Sequence, residues 1–334
     1  MYSKIIEKLG KYWYVKAALI LIAALFPVLS TALLPSPTYI IQIGCFILIY
    51  IIAVSGLDIL FGYCGQISLG HAGFFAIGAY GSAILTDKLG IHVLLATVIA
   101  CIAAALISVV IAFPAAKLKF HFLSLATIAF GEIIYSLCGA SPGEITGNFR
   151  GYFPAKLILF GKSFSDDYTL YFYFVFIILA ICLLVKTALV NSKTGRAFTA
   201  IRENVVAANG MGINVRKYKV MAFATSAFFV ALSGALYGHF VNYISPGLFL
   251  FDQSVMFLTM LLFGGSGCFW GPIAGVVAVQ IINEFLRYLE KFQTMFYGVF
   301  LLVVILFMPG GIVNLRFNRK KKIEKKEVST DVEG

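Results

Sequence analysis

Long apolar runs alternate with short polar ones along this chain, and their lengths set the expected fold. Runs of about 20 apolar residues match what a helix needs to cross a bilayer. They recur near 17–34, 38–61, 91–113, 120–139, 168–190, 218–242 and 294–312. Residues 168–190 carry only Lys186, and residues 220–251 carry no Asp, Glu, Lys or Arg. Segments at 62–86, 251–264 and 271–287 are interrupted by glycine and read as further crossings, either full or re-entrant. The pattern predicts an all-α, polytopic helical membrane protein of about 10 (8–10) transmembrane helices. A transmembrane barrel does not fit, because its strands would be about ten residues long with alternating polarity.

Charge orients these crossings. Basic residues collect in 1–16 (Lys4, Lys8, Lys11, Lys16), in 113–120 (Lys117, Lys119), in 191–219 and from 316 onward, where Arg319 adjoins Lys320, Lys321 and Lys322. Ten crossings from an inside N-terminus put all four segments on the cytoplasmic face, as the positive-inside rule requires, and leave both termini cytoplasmic. The expected organisation is a cytoplasmic N-terminus (1–16), a transmembrane domain (17–312) with an external loop at 140–167 and a cytoplasmic loop at 191–219, and a basic cytoplasmic tail (313–334), disordered beyond Lys326. Pro35 and Pro37 follow the first apolar run without a small-residue cleavage site, so that run reads as a retained span and not a signal peptide.

Composition agrees with this class. The chain of 334 residues is 60% hydrophobic and 12% charged, with mean hydropathy +0.94. Its net charge of +11 reflects the basic loops and gives no ground for nucleic-acid binding. Six cysteines lie singly, without a CxxC pair, and read as buried thiols rather than disulfide or metal ligands. Gly161-Lys162-Ser163 imitates the end of a phosphate-binding loop, but Lys156 stands where that motif needs its first glycine. No Ser/His/Asp or HExxH arrangement is present, so the chain is expected to be no enzyme, with no catalytic residue and no metal site.

Two places carry chemistry inside the spans. From Gly65 to Ala83, small residues including Gly70 and Gly73 cover almost every face of a helix. In lipid, close backbone approach and van der Waals contact hold helices together, so this helix should be surrounded by other helices. Gln66, Ser68 and His71 sit at its expected inner end, either lining a solute pathway or hydrogen-bonding between helices. Glu132 is the one acid well inside an expected span, and burial of such a group marks either function or a hydrogen-bonded structural role in a packed bundle.

The cytoplasmic island at 191–219 holds Lys193, Arg196, Arg202, Arg216, Lys217 and Lys219 against one acid, Glu203. Phe198, Ile201, Val205, Ala208 and Gly212 recur at helical spacing, with Arg202, Glu203, Asn204 and Asn209 mainly elsewhere. A short amphipathic helix of about three turns is expected, with Thr194 as a candidate cap and Gly210 or Gly212 as its stop. Its apolar face is small, with Ala and Gly at two of five positions, which suits a groove on a protein partner better than a lipid surface.

At this point the chain resembles a known family. GRAFTAIRENVVAANGMGINVRKYK (195–219) is similar to the conserved cytoplasmic loop of the branched-chain amino-acid ABC-transporter permeases, most closely the M-type subunit. GQISLGHAGFFAIGAY (65–80), FPAAKLKFHFLSLATIAFGEI (113–133), HFVNYISPGLF (239–249), GGSGCFWGPIAG (264–275) and MPGGI (308–312) match in the same order, over nearly the whole chain. The resemblance implies a subunit of an ATP-driven importer in a bacterial or archaeal cytoplasmic (inner) membrane. Its implied partners are a second homologous permease, two cytoplasmic ATPases that use ATP and Mg, and an extracytoplasmic solute-binding protein. This chain itself would bind no cofactor. The island is then the coupling helix that seats in the ATPase, through a form of the motif Glu-Ala-Ala-x3-Gly. Here that motif reads Val206-Ala207-Ala208-x3-Gly212, so its leading acid is absent, and Asn209-Gly210 replaces the commoner acidic-Ala pair. Leu, Ile or Val is the implied solute. The alternatives are an ion-coupled secondary transporter of a small polar solute, using Glu132 and Asp58, or a permease of the same family for urea, amides or other amino acids.

Overall fold

The computed structural model describes residues 37–115, 120–159, 162–164 and 167–287, together with 26–27, 298–299 and 302. Most of the expected first and last spans, the N-terminal segment and the basic tail lie outside the described residues. Within them, six helical stretches are long and apolar enough to cross a membrane: Thr38–Tyr63, Val93–Pro114, Phe122–Gly139, Tyr168–Asn191, Val215–Val241 and Pro246–Gly264.

In chain order the helices are α1 (Pro37–Asp58), α2 (His71–Leu89), α3 (Val93–Ala115), α4 (Phe120–Gly139), α5 (Tyr168–Asn191), α6 (Lys193–Glu203), α7 (Val205–Gly210), α8 (Val215–Val241), α9 (Phe251–Gly264) and α10 (Trp270–Arg287). Their ends are set by local chemistry. The Asp167 carboxylate accepts from the amides of Thr169 and Leu170 at the start of α5, and Gly90, with φ 64°, closes α2. Between α4 and α5, β1 (Ile158–Leu159) pairs antiparallel with β2 (Lys162–Ser163).

Helix α8 is the hub, packed against α1, α2 and α3. Glycine makes that packing close. A Cβ on Gly78 of α2 would stand 1.9 Å from the carbonyl oxygen of Ala231, and one on Gly234 of α8 would stand 2.0 Å from that of Phe75. The two helices therefore cross with backbone against backbone, and dispersion between them does the work that hydrophobic burial does in water. Interhelical hydrogen bonds add to it: Ser233 Oγ donates to the Ile49 carbonyl at 2.7 Å, and the Tyr171 hydroxyl to that of Leu236 at 2.6 Å. Such bonds contribute about 0.6 kcal/mol each on average. Helices α9 and α10 form a hairpin of the same kind, with Gly264 against the Gly271 carbonyl and Gly275 against that of Met260.

The expected third crossing differs from a continuous helix over 62–86. A π-helical turn, Ile59–Tyr63, extends α1, the chain is non-helical over 64–70, and α2 begins only at His71. Gly65 has φ +71° against the Arg202 side chain, and a Cβ on Gly70 would stand 2.0 Å from the Thr127 carbonyl oxygen. Both break points thus need glycine, one for its backbone conformation and one for space.

Outside the membrane-crossing region the 140–167 segment is tied down. Tyr152 pairs in an isolated bridge with Ile244, and its hydroxyl donates to Asp87 at 2.7 Å. Burial, and then the Asp87 carboxylate, hold the Tyr152 hydroxyl above its usual pKa. Asp252 lies within the first turn of α9, where its charge suits the helix N-terminus.

Candidate functional site

The loop between α5 and α8 folds as two helices and not as one. Ser192, not Thr194, caps α6 by accepting from the Thr194 amide at 3.1 Å. Asn204 breaks the helix with extended backbone (φ −159°, ψ 110°) and caps α7 by accepting from Val206 and Ala207 at 2.9 and 3.0 Å. Side-chain competition for backbone amides makes Asn a strong cap and a poor interior residue.

This break redistributes the expected stripe. Phe198, Ile201 and Ala208 are buried in the chain itself, where Phe198 meets the Tyr218 ring of α8 edge-on. Gly212 is a turn residue, with φ +80° and open space around it. Arg202, Glu203, Asn204, Val205, Ala207 and Asn209 are exposed, as expected for the polar members. The free apolar surface is on α7 and just after it: Val206 is 82% exposed and Met211 70%. Beside it Val205, Val206, Asn209, Ile213 and Arg216 line a groove of about 620 Å³. The stripe was expected to face a partner, but three of its five members pack within this chain, Val205 is exposed, and the outward apolar surface falls on Val206 and Met211, for which the Val-Val pair after Asn204 was the available signal.

Behind the loop lies a polar cluster. Lys186 of α5 and Asp58 of α1 form an ion pair at 2.8 Å, with side chains 2% and 0% exposed. The other Asp58 oxygen accepts from the Gly267 amide, in the turn between α9 and α10, at 2.7 Å. Arg202 Nη1 donates to the Gly62 carbonyl, and Gln66 Nε2 donates to the Lys219 carbonyl at 3.2 Å. The loop between α5 and α8, α1, α5, α8 and the α9–α10 turn therefore meet through a buried ion pair and partly buried hydrogen bonds. In the sequence Asp58 and Lys186 are two separate lone charges, and nothing local joins them.

Deeper, the remaining candidates are packing groups. His71 Nε2 is hydrogen-bonded to Ser226 Oγ at 2.8 Å near the middle of α8, with its ring between Phe74 and Phe223. The Leu69 amide donates to Thr127 Oγ1 and the Ala72 amide to Ser254 Oγ, which satisfies backbone freed by the break before α2. Gly70 and Gly73 lie against α4 at Thr127, Phe130 and Gly131, and Gln66 and Ser68 are buried. His71 is thus the first residue of α2 and meets α8 near the middle of that helix. Glu132 differs most from expectation: it is on the outer surface of α4, exposed, and not inside the bundle. Among the described residues no group of three His, Cys, Asp or Glu is placed to hold a metal, and the six cysteines are unpaired.

Comparison with known proteins places these features in a family. Residues 39–308 match the model of the branched-chain amino acid transport system permease component. The chain is similar to the high-affinity branched-chain amino acid transport system permease protein LivM of Escherichia coli (strain K12), 29% identical over 296 residues, covering 82% of this chain and 69% of the relative. The probable LivM of Methanocaldococcus jannaschii is 27% identical over 292 residues, 80% of this chain and 83% of the relative. The high-affinity branched-chain amino acid transport system permease protein LivH of Escherichia coli (strain K12) is 24% identical over 280 residues, 79% of this chain and 91% of the relative. No solved structure matches.

Proposed function

Because the chain belongs to the branched-chain amino acid transport permease family, we propose that it is one of two membrane subunits of an ATP-driven amino-acid importer, most specifically for Leu, Ile and Val. It crosses the cytoplasmic membrane of a bacterium or archaeon with both termini inside, the crossings at 17–34 and 294–312 included. A second homologous permease completes the pathway, an extracytoplasmic binding protein delivers the solute, and two cytoplasmic ATPases consume ATP and Mg. This chain holds no nucleotide and catalyses no reaction.

The observation that carries the reading is the exposed apolar surface of α7 beside a groove, on a loop whose own anchors are buried. An ATPase seated on Val206 and Met211 would move α6 and α7 together, since Ala208, Phe198 and Ile201 fix both to the body. Arg202 passes that displacement to the end of α1, and Asp58 links α1 to the α9–α10 turn. Coupling in this sense is a two-state arrangement of the permease biased by nucleotide. The ion-coupled alternative loses one of its two acids here, because Asp58 is committed to Lys186.

Val206→Asp is the test. A well-packed interface anchor contributes about 2 kcal/mol, so its loss should weaken ATPase capture by about 30-fold. Copurification of the ATPases and leucine uptake by the reconstituted complex should fall together, with the permease still present in the membrane. A V206D complex that retains its ATPases and imports leucine at the wild-type rate would show that α7 is not the docking element. Ala208→Trp is a poorer probe, because Ala208 is enclosed within this chain.

A further inference from the structure

Among the described residues three membrane-length helices leave a face uncovered, and one of the three faces is chemically unlike the others. The outward positions of α3, including Leu95, Val98, Ile102, Leu106 and Val110, are aliphatic up to Phe113 and Pro114 at its C-terminal end. Those of α5 are aliphatic or Ala except Thr187, whose hydroxyl is bonded to the Leu183 carbonyl, and Asn191 at its C-terminal end. Both surfaces suit lipid. The outward stripe of α4 runs Phe122, Leu125, Ala129, Glu132, Ser136, at the spacing of one helix face. Glu132 lies within α4, away from both ends of that membrane-length helix. Its neighbour Gly131 packs against Gly70 and Gly73, the level at which His71 meets the middle of α8. A carboxylate there has no polar surface within reach of its short side chain, and facing hydrocarbon at mid-depth costs at least about 2.5 kcal/mol. Ionisable groups at such positions face a protein interior or water.

We infer that the α4 stripe is this chain's wall of a water-filled solute pathway, closed on its far side by the second permease, and that Glu132 contacts the ammonium group of the amino acid in transit. The inference rests on the importer reading. The chemistry of the wall fits the solute: one anion for the one cation that every amino acid carries, flanked by Leu125 and Ile133 for an apolar side chain. A single unpaired carboxylate gives weak, transient contact, which suits a group past which solute must move.

The test uses the complete reconstituted complex in proteoliposomes, with Cys268→Ser as background. Ser136→Cys and Glu132→Cys should react with a charged, water-soluble thiol reagent, and Leu106→Cys on α3 should not. Glu132→Gln should slow leucine uptake about tenfold, and Glu132→Asp should recover part of it, while ATPase copurification stays unchanged. If Ser136→Cys and Glu132→Cys are as unreactive as Leu106→Cys, the stripe faces lipid or dry protein and the inference fails. If both react but Glu132→Gln transports at the wild-type rate, the solute contact is wrong. If the unsubstituted complex imports no amino acid, the importer reading itself fails, and labelling alone decides whether the α4 face is wet.

Discussion

Replacing Asp58 with Leu is expected to lower the stability of the folded protein by about 3–5 kcal/mol, the range for breaking a buried ion pair by removing one partner. The substitution leaves the Lys186 ammonium enclosed without its counter-charge and strips the Gly267 amide of its acceptor. Asp58→Asn keeps an oxygen for Gly267 and should cost less, and Lys186→Met should cost as much as Asp58→Asn because it strands the opposite charge. The combined variant Asp58→Asn with Lys186→Met removes both charges and should return most of the way to wild type, since a neutral, well-packed pair is often as stable as the ionic one. Thermal unfolding of the four purified proteins in detergent measures this. A combined variant that melts lower than either single variant, by the sum of their separate losses, would mean that the pair is not coupled.

The second large effect is steric. Gly78→Ala places a methyl group 1.9 Å from the Ala231 carbonyl oxygen, a distance that no relaxation of one side chain can repair, because the obstacle is backbone. Helices α2 and α8 must move apart along their crossing, and a cost of about 1–3 kcal/mol or more is expected. Gly234→Ala acts on the same crossing from the other side, against the Phe75 carbonyl. Together the two should therefore cost less than the sum of their separate effects, since the first already opens the gap. Gly247→Ala is the control: nothing lies within 4 Å of its added carbon, and a change within about 0.5 kcal/mol is expected. A Gly78→Ala protein that melts with the Gly247→Ala protein would show that α2 and α8 do not touch as described.

What the sequence revealed follows from the range of the interactions concerned. The spans at 38–61, 91–113, 120–139, 168–190 and 218–242 correspond closely to helices, because apolar length is a local property that lipid thickness dictates. The start of α2 was not legible. Gly65 and Gly70 are needed there by Arg202 and by the Thr127 carbonyl, and neither partner is near them in the chain. The Asp58–Lys186 pair was hidden in the same way, although each is a lone charge toward the inner end of its span. In the loop between α5 and α8 the error was one of continuity. Helical spacing was carried straight through Asn204, whose capping chemistry starts a new helix and turns Val206 outward. Glu132 was visible as an anomaly from its surroundings in the sequence, but only the fold says which way it points.

The length of α8 has a mechanical side. Val215 to Val241 is a single helix without proline, about 40 Å long at 1.5 Å per residue. Near its N-terminal end the Lys219 carbonyl is held by Gln66, and just past its C-terminal end Ile244 is bridged to Tyr152 of the 140–159 segment. A hydrogen-bonded rod of this length bends little, so tilting it at one end must swing the other, with the Tyr152 segment attached. The two ends are then geared to each other by one piece of backbone, with no relay of side chains between them.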